Sequence, residues 1–293
     1  MENILLTPKN RPHCALGLGF FDSLHIGHRK IIDVLKSFAL TNETASAIVT
    51  FSDNPKQNGK LVYTLEERVH LLKKCGIDYF LPLKFSQIQS WTPDKFLQYC
   101  MQRFDIKMVA CGQDFRFGKD AVGDVNFLQQ ELEPLNVLCK VIPSLNLNGQ
   151  KVSSTFIKEG LRRGDLKFIN ECLGESFKTF GKVIHGKGMG KLIAPTINML
   201  YPVDKQQLPP AVYGTYTCVQ GCWYKSITNF GTQPTFGGEK IVVETHILNF
   251  DKDIYGEYVE VRFEKKLREI IKFENLQKLK LQVLQDIKAW DNM

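Results

Sequence analysis

The sequence contains no C-x-x-C pair, although it has eight cysteines. Cys14, Cys75, Cys100, Cys111, Cys139, Cys172, Cys218 and Cys222 are scattered, and several lie in apolar strand-like runs. They read as reduced thiols serving as small core residues, which argues against a disulfide framework. Cys218 and Cys222 flank a turn at Gln220-Gly221, but no second ligand pair stands near, so zinc is not expected. No run approaches the ~18 apolar residues that a membrane span needs. The stretch Met1-Glu2-Asn3-Ile4-Leu5 has no basic region followed by an apolar core. A secretion signal is therefore not expected, and a cytoplasmic location is. No G-K-[ST] triplet occurs, which excludes a Walker loop. There is no internal repeat, no low-complexity tract, no basic helix and no recognised nucleic-acid module. The formal net charge of +7 is modest and suits a protein that handles anionic phosphates.

What is present is enough chain for about two domains. Of its 293 residues, 43% are hydrophobic and 24% charged, as in ordinary globular proteins. Residues 1–178 alternate strand and helix patterns. Cys14 to Leu18 reads as a buried strand, and Ile31, Ile32, Leu35 and Phe38 have helical spacing. Ala47 to Phe51 is a second strand, and Thr64-Leu65-Glu66-Glu67 is a capping box that opens a helix ending near Gly76. Tyr79 to Leu83, Met108 to Cys111 and Val137 to Val141 are further strands. Thr92-Pro93-Asp94 starts a helix with proline at its first position. Such alternation predicts an α/β domain: a parallel sheet with helices on both faces and ligands beyond the carboxyl ends of the strands.

The texture changes in residues 179–293. Val183-Ile184, Tyr213 to Val219, Trp223 to Phe230, Val242 to Leu248 and Tyr258 to Phe263 read as strands of an antiparallel barrel or sandwich. Leu276, Leu279, Val283 and Ile287 form the stripe of a C-terminal amphipathic helix, read as core rather than binding face.

The densest motif is Gly19-Phe20-Phe21-Asp22-Ser23-Leu24-His25-Ile26-Gly27-His28. His25 and His28 sit three apart at a strand-to-helix turn and can face the same way. A helix start already favours anions, because its first N–H groups are unpaired. Two imidazoles there make a site for a nucleotide phosphate. Ser153-Ser154-Thr155-Phe156-Ile157-Lys158 could cradle phosphates at a second helix start. Gly112-Gln113-Asp114-Phe115-Arg116-Phe117-Gly118 lies after the fourth strand, and Thr50 to Pro55 ends the second.

The ten-residue string resembles the HxGH signature of the nucleotidyltransferase superfamily, and its extended form is similar to that of bacterial FAD synthetases. The resemblance implies a Rossmann-like adenylyltransferase domain. Its histidines, His25 and His28, would hold the triphosphate and stabilise the transition state. Gly19, Phe20, Phe21, Asp22, Ser153, Ser154, Thr155 and Lys158 would bind ATP, and Asn54, Asp114, Phe115 and Phe117 would meet flavin. Ser23 replaces the usual middle glycine, Asn54 the usual histidine and Lys158 the usual arginine. Lysine keeps the charge but loses the bidentate fork.

The second half carries a glycine-rich run with Gly186, Gly188 and Gly190, then Pro195-Thr196-Ile197-Asn198. Asn229 to Phe236, Val243-Glu244-Thr245-His246 and Asp251 to Gly256 follow. In order and spacing these are similar to riboflavin kinase, a β-barrel domain. The resemblance implies that the three glycines, Thr196 and Asn198 bind ATP, that Thr196 and Asn198 hold Mg²⁺, that Glu244 is the catalytic base, and that Arg268 lies near flavin. Ile193-Ala194 and Ile270 depart from the family pattern. The implied function is FAD biosynthesis: riboflavin is phosphorylated to FMN, and FMN is adenylated to FAD with release of pyrophosphate. The implied partners are flavins and ATP, with neither nucleic acid nor membrane, and no oligomeric state follows. Three alternatives stand beside it: a paralogue keeping one activity, another nucleotidyltransferase of the pantetheine or glycerol phosphate type, and a non-catalytic flavin sensor.

Overall fold

The first strand, β1 (His13–Leu18), is buried at every position after His13. A run of apolar and small residues lets both its faces be covered. This computed structural model describes residues 11–55, 59–185, 196–235 and 238–292. The chain divides into two compact units, Met1–Phe156 and Ile157–Met293.

In the first unit β1 is followed by α1 (Ile26–Thr41), β2 (Ala45–Phe51), α2 (Leu65–Lys74), β3 (Tyr79–Leu83), α3 (Phe85–Ile88), α4 (Pro93–Arg103), β4 (Asp105–Gly112), α5 (Val125–Leu132) and β5 (Leu138–Ile142). A small hairpin, β6 (Asn146–Leu147) and β7 (Gln150–Lys151), leads to α6 (Ser154–Arg163). The sheet order is β3-β2-β1-β4-β5, with every pairing parallel. Strand order therefore reverses between β1 and β4, and a crevice opens beyond their carboxyl ends. One face of the sheet packs on α4 and α5 through Leu16, Val49, Val109, Phe96, Leu97 and Leu128. On the other face α1 approaches so closely that a Cβ on Gly17 would lie 2.7 Å from Leu35 Cδ1. Thr64 and Glu67 form the expected reciprocal capping box of α2, and Thr92 caps α4 with Pro93 at its start.

The second unit has α7 (Leu166–Leu173), β8 (Phe177–Lys182), β9 (Ile197–Leu200), β10 (Ala211–Val219), β11 (Cys222–Thr235), β12 (Gly238–Ile247), β13 (Tyr258–Glu269) and α8 (Leu276–Asp291). Six antiparallel strands run in the order β8-β13-β10-β11-β12-β9. Ile184 N–H donates to Asn198 O at 2.8 Å, joining the two ends into a nearly closed barrel. The strand expected at Val183-Ile184 is thus a single bridge, and β8 lies just before it. Buried Lys178, ion-paired with Glu175 and Glu260, interrupts the apolar pattern and hides β8 from periodicity. The turn at Gln220-Gly221 joins β10 and β11 as expected, with φ of 48° and 84°.

Tyr213, Phe230 and Phe263 pack edge to face among the inward side chains. Beside them Thr217, Ser226, Thr215, Thr228 and Thr245 form a buried chain of hydroxyls with contacts of 2.8–2.9 Å, so each polar group is satisfied by the next. On the outside of β10, α8 seats Trp290 against Gly214, where a Cβ would meet Trp290 Cε3 at 2.6 Å. Gly214→Ala is therefore expected to destabilise the second unit by about 1–3 kcal/mol through overpacking. Denaturant unfolding of the variant and the parent checks this.

Candidate active sites

Beyond Leu18 the chain turns through Phe21 and Leu24, both at positive φ (47° and 50°). Asp22 is fully buried, and its carboxylate accepts from the Val62 N–H at 2.8 Å. Together with Tyr63 N–H donating to Asp22 O at 3.2 Å, this anchors the turn to the segment before α2. Phe21 is also buried, and its ring lies 4.9 Å from that of His28. Behind the turn, buried Arg68 donates to the carbonyls of Phe20, Phe51 and Ser52 at 3.2, 2.9 and 3.2 Å. It thereby ties together the carboxyl ends of β1 and β2.

His25 caps α1, with its Nδ1 accepting from His28 N–H at 3.1 Å. A neutral ring that accepts at Nδ1 carries its proton on Nε2, so His25 is a donor at that nitrogen. The two rings are stacked, with centroids 3.7 Å apart and planes 5° from parallel. Burial pushes His25 down to about 4. His28 lies well below its ordinary value, through burial first, then the neighbouring His25 and the Arg68 guanidinium. Both rings are neutral at pH 7. The buried Nδ1 of His28 has no partner among the described residues.

The depressed histidines have a consequence for stability. Unfolded, each takes up a proton as pH falls through about 6.5, whereas the folded His25 stays neutral until about 4. Their contribution is present above 6.5 and is lost as pH falls towards 4. From His25 alone, stability is expected to be about 2 kcal/mol lower at pH 5 than at pH 7. Melting curves across that range, compared with those of His25→Gln, check this.

His25 and His28 line a cavity of about 450 Å³ together with Gly19, Phe20, Ser153, Ser154, Asp114, Phe115, Arg116 and Lys151. Ser23 Oγ and Ser154 Oγ lie 2.9 Å apart, and Ser153 Oγ accepts from Phe156 N–H at 3.3 Å. The β1–α1 turn and the start of α6 are thus pinned together. Thr155 is exposed, and Lys158 lies one turn further along α6, within the second unit. Asp114 accepts from Lys151 and from Ser144 Oγ (2.8 Å), and these partners hold its carboxyl below the usual carboxylate range.

A second, aromatic cavity of about 690 Å³ adjoins, lined by Phe51, Pro55, Phe85, Trp91, Phe96, Arg116 and Phe117. Phe115 faces the first cavity and stacks on Phe117, which is itself core, against Phe96 and Phe127. Asn54 lines neither cavity, and its Nδ2 donates to Lys60 O at 3.3 Å. Sequence reasoning assigned no part to Arg68, Arg116, Lys151 or Trp91. Only the position of Arg116 inside the Asp114 to Gly118 loop could have drawn attention to it.

In the second unit Asn198, Glu244 and Asn229 stand opposite one another on β9, β12 and β11. Thr196 Oγ1 donates to Glu244 Oε1 at 3.2 Å, and Asn229 Nδ2 faces Glu244 Oε2 at 3.5 Å. Glu244 lines a cavity of about 370 Å³ with Val212, Ile227 and Arg268 from the barrel and Leu276, Leu279 and Val283 from α8. The α8 stripe read as core is therefore largely a cavity wall, because the helix is held off the barrel there; Leu276 is 54% exposed. Arg268 is forked onto Asp286 of α8 at 2.8–3.0 Å and fixes that wall. A smaller cavity of about 220 Å³ at the barrel end is lined by Thr196, Ile197, Thr245, Ile247, Phe250 and Tyr255. Thr196 lines both cavities. Gly186, Gly188 and Gly190 lie outside the described residues.

Among the described residues no group of three or more His, Cys, Asp or Glu could hold a metal ion. Thr196 and Asn198 offer hydroxyl and amide oxygens beside the Glu244 carboxylate, which is the chemistry of a hard, largely hydrated cation.

Residues 7–156 match the family model for FAD synthetase, and residues 173–293 match that for riboflavin kinase. The chain belongs to the bifunctional riboflavin kinase/FMN adenylyltransferase family. That family's place is FAD biosynthesis through FMN, and both halves are transferase domains. The relative bearing that name from Haemophilus influenzae is 30% identical over 94% of this chain and 92% of its own length. The one from Bacillus subtilis is 27% identical over 96% of this chain and 92% of its own. A crystal structure described as a macrolide-efflux protein from Streptococcus pneumoniae matches with a TM-score of 0.84 at 25% identity, covering 100% of this chain and 98% of that one. Among the described residues no helix is long and apolar enough to cross a membrane.

Proposed function

We propose that this chain carries both activities of its family, each in its own unit, and that the residues assembled above perform them. One observation carries the reading and recurs in both units. Two cavities share part of their lining, Thr196 in one unit and Phe51 and Arg116 in the other, and chemistry-bearing side chains (Glu244; His25 and His28) line one cavity of each pair.

In the second unit riboflavin occupies the apolar cavity under α8, with its ribityl chain towards Glu244. ATP enters from the barrel end, bringing its γ-phosphate to Thr196. Glu244 takes the proton of the terminal hydroxyl as that oxygen bonds to the γ-phosphorus, and ADP leaves. Thr196 orients the carboxylate from the nucleotide side. Thr196 and Asn198 would hold Mg²⁺, which when bound neutralises the phosphate charge that otherwise repels the incoming group.

In the first unit an FMN phosphate oxygen bonds to the α-phosphorus of a second ATP, and pyrophosphate departs. His25 and His28, neutral in the free enzyme, donate to the phosphate oxygens on which charge builds, and Ser153 and Ser154 hold the triphosphate. Phe51, Trp91 and the adjoining rings receive the isoalloxazine, and Asp114, Phe115 and Phe117 shape the wall between the two cavities. All eight cysteines are free, as in proteins of the reducing cytosol, where we place the enzyme.

The test is chromatographic separation of flavins after incubation of pure protein with ATP and Mg²⁺, once with riboflavin and once with FMN. FAD from both supports the reading. FAD from FMN alone assigns a silent kinase to the altered Ile193-Ala194 segment or Ile270. FMN as the sole product from riboflavin points to Asn54 and Lys158. No turnover with either, together with flavin binding, favours a flavin sensor.

A further inference from the structure

The two cavities of the first unit meet at two side chains, Phe51 and Arg116. Phe51 is apolar. Arg116 is the cation common to both linings among the described residues. Lys151 lines the histidine cavity and is engaged by Asp114, whereas Lys119 lines only the aromatic one. Arg116 is half exposed, and its NH1 pairs with Asp124 Oδ2 at 2.9 Å. Asp124 is itself fixed, because its Oδ1 caps α5 by accepting from Phe127 N–H at 2.9 Å. One edge of the guanidinium is thereby anchored to a rigid helix start. A guanidinium has five N–H donors in a planar fork, so an anchored one still presents donors to an anion. An exposed ion pair of this kind adds little to stability, so the fold does not account for it.

We propose that Arg116 binds the phosphate of FMN and makes adenylation select phosphorylated flavin over riboflavin. The inference rests on the reading that this unit adenylates FMN. If the flavin ring lies in the aromatic cavity and the α-phosphate of ATP lies beside the histidines, the ribityl phosphate must cross the shared edge, where Arg116 stands. Riboflavin ends in a neutral hydroxyl and offers that fork no charge. Such selection matters in a chain that handles both flavins, since an unphosphorylated flavin in this cavity blocks it without reacting. Phe51 stays with the ring, and Lys151 with Asp114, which leaves the dianion to Arg116.

The experiment uses the full chain and reads initial rates of FAD formation at varied FMN, with lumiflavin as competitor. Lumiflavin has the same ring system without ribityl chain or phosphate, so it cannot be phosphorylated. Arg116→Gln is expected to raise the KM for FMN at least about tenfold, in keeping with the loss of a charge-assisted bond, with a much smaller change in kcat. Arg116→Lys, which keeps the charge but not the fork, should fall between parent and Gln. The inhibition constant of lumiflavin should stay within about twofold in both variants, because apolar contacts rather than the fork bind the ring. An unchanged KM for FMN overturns the proposal. So does a rise in the lumiflavin constant that matches the rise in KM, which would make Arg116 a support of cavity shape. A parent protein that forms no FAD from FMN overturns the adenylation reading beneath it, a result distinct from either.

Discussion

His28→Ala is expected to lower FAD formation from FMN by about 10²–10³-fold, the usual cost of removing one preorganised donor at a site of developing charge. FMN formation from riboflavin should stay within about twofold, since Glu244 and its cavities lie in the other unit. The size of the effect follows from burial. His28 is stacked on His25 and packed against Phe21 in a site that pushes both rings to the neutral form. A neutral imidazole whose ring is fixed by packing needs little reorganisation as charge builds on phosphate. Truncation also leaves a gap behind the turn, so His28→Gln serves as a companion that fills more of the space. If both variants lose adenylation, keep kinase activity and unfold in denaturant like the parent, the loss is chemical. Equal loss of both activities in either variant would break the assignment of the two reactions to two units.

The histidine pair was legible in the sequence because an i, i+3 spacing at a helix start leaves few geometries. The same holds for the capping box at Thr64 and for Pro93, where local backbone chemistry decides the structure. Legibility failed where a tertiary partner decides. Lys178 is buried because Glu175 and Glu260 meet it, and no periodicity argument places a buried lysine in a strand. Arg68 looks like a solvated helix cation until the carbonyls of Phe20, Phe51 and Ser52 close around it. The α8 stripe has the pattern of core, and pattern alone does not distinguish an apolar face pressed on a barrel from one that walls a cavity beside it. The Phe115/Phe117 pair was legible as to location and not as to role. Alternation in the loop gives one ring to a cavity and the other to the core, and only the packing shows which.

Glu244→Gln should do the reverse of the His28 change. It is expected to lower FMN formation from riboflavin by about 10²–10⁴-fold in kcat, the range for loss of a positioned general base. FAD formation from supplied FMN should be unaffected. Glutamine has nearly the volume of glutamate, and its carbonyl can still accept from Thr196 Oγ1, so the junction of the two cavities survives the change. What disappears is the capacity to take the hydroxyl proton. Because the bound geometry is kept, the KM for riboflavin should move little, and a kcat-dominated loss separates chemistry from binding. The transition state for phosphoryl transfer is loose, with the proton moving late, which favours the lower part of the range. A fall of only a few fold would mean that Glu244 serves to position Thr196 and the incoming hydroxyl rather than to accept a proton. In that case the pH dependence of kcat would be the same in Gln and parent enzymes. If Glu244 is the base, the acidic limb of the parent profile disappears in the variant. The two profiles therefore decide between a carboxylate that reacts and one that only holds its neighbours in place.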